Sequence, residues 1–270
     1  MNKKMQGILN HIIIVFACLC ATIPYLLISV STFNTSVNIK KGDIFTNASF
    51  QNWFNNFSKL TNDSNFANAL RNSIIVAIIT VFIGVLLASL AGYAFIVYRN
   101  KFMDKLFIFL FFSIMVPSSA IIIPLFMMLK MFNMLDSLFS IVLVSLSLPF
   151  LIYLFRQNTK LFPIELIKAA RIDGLNEIMI YFKIYLPNMK AVFVTASLIL
   201  FIDTWNSLLY PLVIIQSQKN MLLPVYINSI GSSATSDYGA FMIALMISTF
   251  PILLVFVIAQ RYFRAGMKTM

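Results

Sequence analysis

The chain has 270 residues, 60% of them hydrophobic and only 11% charged, with a mean hydropathy of +0.89 and a net charge of +11. A soluble domain carries roughly 25% charged residues, so a water-soluble fold is excluded, and the recurring long apolar runs require a polytopic membrane protein. The basic residues lie between those runs and form no stripe interleaved with aromatics, which argues against nucleic acid and for span orientation in a bilayer.

Residues 1–10 form a short N-terminus carrying Lys3 and Lys4, and the first span is predicted at His11–Phe33. It holds Cys18 and Cys20, whose spacing suits a disulfide poorly. They read as small apolar span residues. A lipoprotein site at Cys18 lacks the small-residue cleavage pattern, so the run is expected to be a retained anchor. Residues 34–65 are polar and external, with Asn-x-Ser matches at Asn34, Asn47, Asn56 and Asn62 that an Asn-rich composition produces by chance. A core at 66–264 holds five more predicted spans, Phe66–Val97, Leu106–Phe132, Leu138–Phe155, Ala191–Ile215 and Tyr238–Tyr262, and 265–270 forms a tail. The fold class is all-α with six transmembrane helices. With the N-terminus cytoplasmic, most of the 20 basic residues fall inside, and both termini are expected there. Of the external ones, Arg71 and Lys130 sit at span ends, where they can snorkel.

The longest cytoplasmic loop, 158–190, is the most informative segment. Pro163 suits a helix start, because its missing N–H would be unpaired there anyway. Glu165 falls in the first turn, where the helix dipole favours negative charge, and Lys168 is spaced to pair weakly with it. Ala169 and Ala170 give a small-residue face, and Gly174 can take positive φ and stop the helix. A second amphipathic stretch, Asn176–Tyr185, leads to Leu186-Pro187 and the fifth span. The segment reads either as a solvated connector on the bilayer surface or as a rigid helix–Gly–helix elbow that passes force to spans four and five.

Span five carries Asp203, two residues before Trp205 and three before Asn206, with Tyr210 beyond. A carboxylate within a span is costly unless it faces a partner or water. An aromatic plate beside amide and carboxylate acceptors suits a sugar, which has apolar faces and a rim of hydroxyls; structural pairing with another span is the alternative. Pro117, Pro124 and Pro211 interrupt spans three and five, either to line a substrate site or to kink the helices for packing.

At these residues the sequence resembles the inner-membrane permeases of binding-protein-dependent ABC importers, and among them the carbohydrate type, as in maltose and glycerol-phosphate importers. Glu165–Gly174 with Leu186-Pro187 is similar to their EAA loop. Arg71-Asn72-Ser73, Met115-Val116-Pro117, Ile123-Pro124-Leu125, Trp205-Asn206, Tyr210-Pro211-Leu212 and Gln260-Arg261-Tyr262-Phe263 match in order, covering about Arg71 to Arg264. The resemblance implies a coupling helix in which Glu165, Lys168, Ala169, Ala170, Asp173 and Gly174 meet an ATPase. It also implies a solute pathway that Asp203, Trp205, Asn206 and Tyr210 would line. The implied partners are two ATPase subunits, a second permease (by precedent a different chain) and an extracytoplasmic binding protein, in a prokaryotic inner membrane. Lys168 reverses the charge usual before the Ala pair, and Ser207 stands where an acid often follows Trp-Asn.

No catalytic set is legible. His11 is the only histidine, and the Gly-x-x-x-x-Gly-Lys-Ser/Thr phosphate loop is missing, so no cofactor is expected on this chain and ATP with Mg belongs to the partner ATPase. A stand-alone secondary carrier would need a coupling-ion site or inverted repeat. A membrane-embedded enzyme would need acid–base residues within the spans. Neither is apparent.

Overall fold

The computed structural model describes residues 3–232 and 237–266; the tail residues 267–270, with Lys268, and part of the predicted external loop at 233–236 lie outside them. The described chain is all-α. Its helices are α1 (Lys3–Ser31), α2 (Phe50–Thr61), α3 (Ser64–Val97), α4 (Lys101–Phe112), α5 (Ser118–Met131), α6 (Leu138–Ser145), α7 (Pro149–Thr159), α8 (Ile164–Ile172), α9 (Glu177–Ile180), α10 (Lys190–Trp205), α11 (Leu209–Ile214), α12 (Leu223–Ser232) and α13 (Tyr238–Gly266). Shorter turns link them.

Three helices, α1, α3 and α13, are long and apolar enough to cross a bilayer unbroken. The third and fourth predicted spans are bent, and a bend precedes the fifth. The third breaks by 103° between α4 and α5, the fourth by 42° between α6 and α7, and the turns after Glu177 meet α10 at 83°. The first break has a clear cause: Val116, held at ψ 117° before Pro117, leaves the helical region as pre-proline residues do. The second break falls at Leu148, which leaves the helical region at φ −116° and ψ 28°. The fifth predicted span, Ala191–Ile215, is a further correction. Its helix stops at Trp205, Asn206 caps it, and a separate α11 follows. Pro211 is not the breaker, because it sits in the first turn of α11, where its missing N–H costs nothing.

The chain forms two compact units. The first comprises 1–67 and 226–251. Within it, buried Asn56 donates to the carbonyls of Thr32 and Asn34 at 3.0 and 2.9 Å, and Tyr226 donates to Asp63 at 2.8 Å. Asp237 caps α13 through the Gly239 and Ala240 amides and pairs with Lys59 at 2.8 Å. Cys18 and Cys20 are exposed free thiols on α1.

The second unit comprises 68–225 and 252–266. Its frame is the contact of α3 with α7. Gly92 lets the two backbones approach so closely that an added Cβ would lie 2.5 Å from Phe155 Cβ and 2.9 Å from the Arg156 amide nitrogen. At its other end, the 215–222 segment is tied down by side chains. Asp136, at φ 55°, accepts from the amides of Gln216 and Ser217 at 3.1 and 3.0 Å and from the Ser217 hydroxyl. Asn72 donates to the Lys219 and Met221 carbonyls, and the Leu223 amide donates to Ser73.

Candidate functional site

The 158–190 loop folds into a braced elbow. Pro163 precedes α8 and Glu165 lies in its first turn. The helix closes with a complete left-handed cap: Gly174, at φ +82°, donates to the Arg171 carbonyl at 3.1 Å, and Leu175 donates to that of Ala170 at 3.0 Å. Leu175 then packs against the same cluster as Ala170, the hydrophobic contact that accompanies such caps. Asn176 starts the next helix by accepting from the Met179 amide at 2.8 Å.

The elbow's inner face is Ile167, Ala170 and Ile180, packed with Phe162, Tyr181, Tyr185 and Met189 against Tyr93 of α3. A single π-turn over Tyr181–Tyr185 keeps both tyrosines inward, their rings stacked at 5.5 Å. Their hydroxyls reach Ser89 and Thr159, the latter at 2.6 Å. Burial pushes the Tyr185 phenol up to about 12. The outer face holds Glu165, Lys168, Ala169 and Ile172, which helical spacing places together, with Asp173 and Gly174 beyond; all are exposed. Ala170 lies three residues from Ile167 and is buried against the core. The expected Glu165–Lys168 pair is a correction, since among the described residues these two form no ion pair. Arg171 instead reaches across the Gly174 turn to Glu177 at 2.6 Å, and Tyr93 donates to the same carboxylate at 3.3 Å. The hydrogen bond from Arg171 is the main reason the Glu177 carboxyl sits below the usual carboxylate range.

The helix breaks in spans three, four and five open two adjoining recesses of about 460 and 530 Å³. Ser118, Ser147, Asp203 and Tyr210 line both. Asn206 lines the second only, beside Ser145 and Ser207. Asp203 is exposed and, among the described residues, makes no hydrogen bond or ion pair. Trp205 stands apart from these three. It is 3% exposed and stacks on Phe201 at 5.6 Å, so it lines neither recess. One helical turn separates Asp203 from Asn206, whereas Trp205 points round the helix into the core.

Residues 81–269 match the model of the family described as binding-protein-dependent transport system inner membrane component. The chain belongs to this family. The permease is 32% identical over 268 residues to the lactose transport system permease protein of Rhizobium radiobacter, covering 99% of this chain and 97% of the relative. It is 27% identical to the arabinooligosaccharides transport system permease protein of Halalkalibacterium halodurans, covering 99% and 98%. Its fold matches a chain from the crystal structure of a bacterial ABC transporter involved in import of the acidic polysaccharide alginate, with a TM-score of 0.85, 20% identity, and 97% and 99% coverage.

Several residues of the permease escape sequence reasoning. Ile172, 87% exposed, is the most prominent apolar side chain on the elbow's outer face. Its signal was available, since an isoleucine at seven residues from Glu165 shares that residue's face. The Arg171–Glu177 pair forms only once the chain turns at Gly174, and the serines of the recess meet only where the spans break, so neither carried such a signal.

Proposed function

We propose that this chain is the membrane subunit of an ATP-driven importer of a sugar or oligosaccharide, and that its elbow takes the motion of a separate ATPase into the spans. The observation that carries this reading is the two-faced elbow. One face is locked to α3 by fully buried Ile167, Ile180 and Tyr185, while the other is open and carries Ile172. A load on the open face has no slack to absorb it, because packed interiors transmit displacement. The sugar assignment is supported by the cargoes named for the relatives and by the hydroxyl-lined recess.

The full assembly on this reading has two ATPase subunits holding ATP and Mg, a second and different permease, and an extracytoplasmic binding protein. It sits in a prokaryotic inner membrane with both termini cytoplasmic, as the basic loops favour. Glu165, Lys168, Ala169, Ile172, Asp173 and Gly174 meet the ATPase. Asp203, Asn206 and Tyr210 face the solute, and Trp205 acts behind them. A stand-alone carrier is disfavoured by family membership.

Ile172→Asp tests the reading. Burying an isoleucine at an interface stabilises it by roughly 1.5–3 kcal/mol, so the variant should hold the ATPase about 10- to 100-fold more weakly and lose uptake. The chain's own melting should stay unchanged, since Ile172 packs on nothing within it. Normal co-purification with the ATPase together with normal uptake would overturn the proposal.

A further inference from the structure

The polar recess carries an inference about which solutes pass, and it rests on the reading of that recess as part of the pathway. Among the described residues that line the two cavities Asp203 is the one formally charged side chain, with no lysine, arginine or histidine beside it. Everything else polar there is neutral: Ser113, Ser118, Ser145, Ser147, Asn206 and Tyr210 among them. Buried Thr204 also lines the second cavity, with a hydroxyl that has no hydrogen-bond partner among the described residues.

Asp203 stands thirteen residues along α10 from Lys190, about 20 Å along the helix axis. That is well inside a hydrocarbon core of about 30 Å. A carboxylate at such depth without a cation beside it is sustained by water or by a polar solute. Its field extends over the recess, attracting cations and repelling anions. Hydroxyls and an amide around one carboxylate satisfy a neutral polyol well, because sugar hydroxyls donate to the carboxylate and accept from the serines. A uronate or a sugar phosphate would bring a second negative charge with no cation to receive it.

We infer that Asp203 is a charge-selecting residue of the pathway, and that it commits this permease to uncharged sugars and against acidic ones. Family membership alone leaves both classes open, since the matched fold includes a transporter of an acidic polysaccharide.

The test reads the field directly and needs no knowledge of the cargo. In the assembled transporter, with Cys18 and Cys20 replaced by alanine, a Ser147→Cys thiol is reacted with cationic trimethylammonium-ethyl and with anionic sulfonato-ethyl methanethiosulfonate. The ratio of the two rates is then compared with Asp203 present and in Asp203→Asn. Across about 8 Å of water-like medium a unit charge changes each rate about 2.4-fold in opposite directions, so the cation-to-anion ratio should fall about six-fold. Ser118→Cys provides the second reporter if the first does not assemble.

A ratio unchanged by Asp203→Asn overturns the inference, as does a thiol that neither reagent reaches at both positions in any nucleotide state. The pathway reading is separated by repeating the reaction on complexes trapped with vanadate during ATP hydrolysis. Rates that respond to trapping while the ratio ignores Asp203 sink the charge selection alone. Rates that ignore trapping sink the pathway reading and the inference with it.

Discussion

At Gly174 one added methyl group tests the elbow with no steric confusion. Its φ of +82° lies in the left-handed region, and a Cβ built there meets nothing within 4 Å. Gly174→Ala therefore creates no clash, and its whole cost is backbone conformation. For an L-residue held in that region the cost is about 1–2 kcal/mol, which lowers the population of the bent elbow roughly 5- to 30-fold. Asparagine tolerates the conformation better and a β-branched residue worse. The expected order is Gly, then Asn, then Ala, then Val. The assay is ATP-driven uptake by the assembled transporter in proteoliposomes, with the amount of ATPase retained on purification measured in parallel. Both readouts should fall in the same order, because unbending the elbow loses the two cap hydrogen bonds and turns the outer face away from its partner. Wild-type uptake in Gly174→Ala, or Gly174→Asn performing worse than Gly174→Val, would refute the argument, because the decisive variable would not be φ.

Three further outcomes are expected. Gly92→Ala should destabilise by about 1–3 kcal/mol, the usual cost of overpacking, because its Cβ meets the rigid base of Phe155 and the backbone at Arg156. Gly84→Ala, whose nearest neighbour is the flexible end of Leu200, should cost much less in parallel denaturation. Glu177→Gln should slow uptake about two- to five-fold, as fits an exposed pair worth up to about 1 kcal/mol. Exchanging the charges as Arg171→Glu with Glu177→Arg should restore only part of the rate, because Tyr93 then loses its acceptor. The folded Glu177 carboxyl lies below its ordinary value, so its contribution is complete above that value and disappears as pH falls through the folded one. Uptake should therefore show no Glu177-dependent step at pH 5–8, and a step within that window absent from Glu177→Gln would contradict the pairing. Asp136→Ala should expose the amides of 215–220 to hydrogen exchange, since it removes three accepted hydrogen bonds at a residue with φ 55°. Asp136→Asn, which keeps an acceptor and tolerates that φ, should leave exchange nearly unchanged.

The elbow was legible in the sequence because its devices are local. Pro163, Glu165 and Gly174 act within a few residues of themselves, through a missing N–H, a helix dipole and a positive φ. The long unbroken spans α1, α3 and α13 were legible for a similar reason, since hydrocarbon admits only segments that satisfy their own backbone. The breaks were legible in kind but misplaced at Pro124, which lies inside unbroken α5, and at Pro211. A proline marks a break only when its N–H would otherwise be used, and in the first turn of α11 it would not.

What the sequence determined by itself, then, is the set of membrane segments and the presence of a capped elbow, both consequences of short-range chemistry and of hydropathy. Which face of α8 is free, that Ala170 belongs to the core while Ile172 does not, and that Asp203 shares a recess with Ser118 and Ser147 while Trp205 turns away were decided only by the tertiary structure. Those facts depend on how helices distant in the chain pack, Gly92 against Phe155 and Ile167 against Tyr93. A helical repeat shows that faces exist, but the neighbours that cover them decide which one remains open.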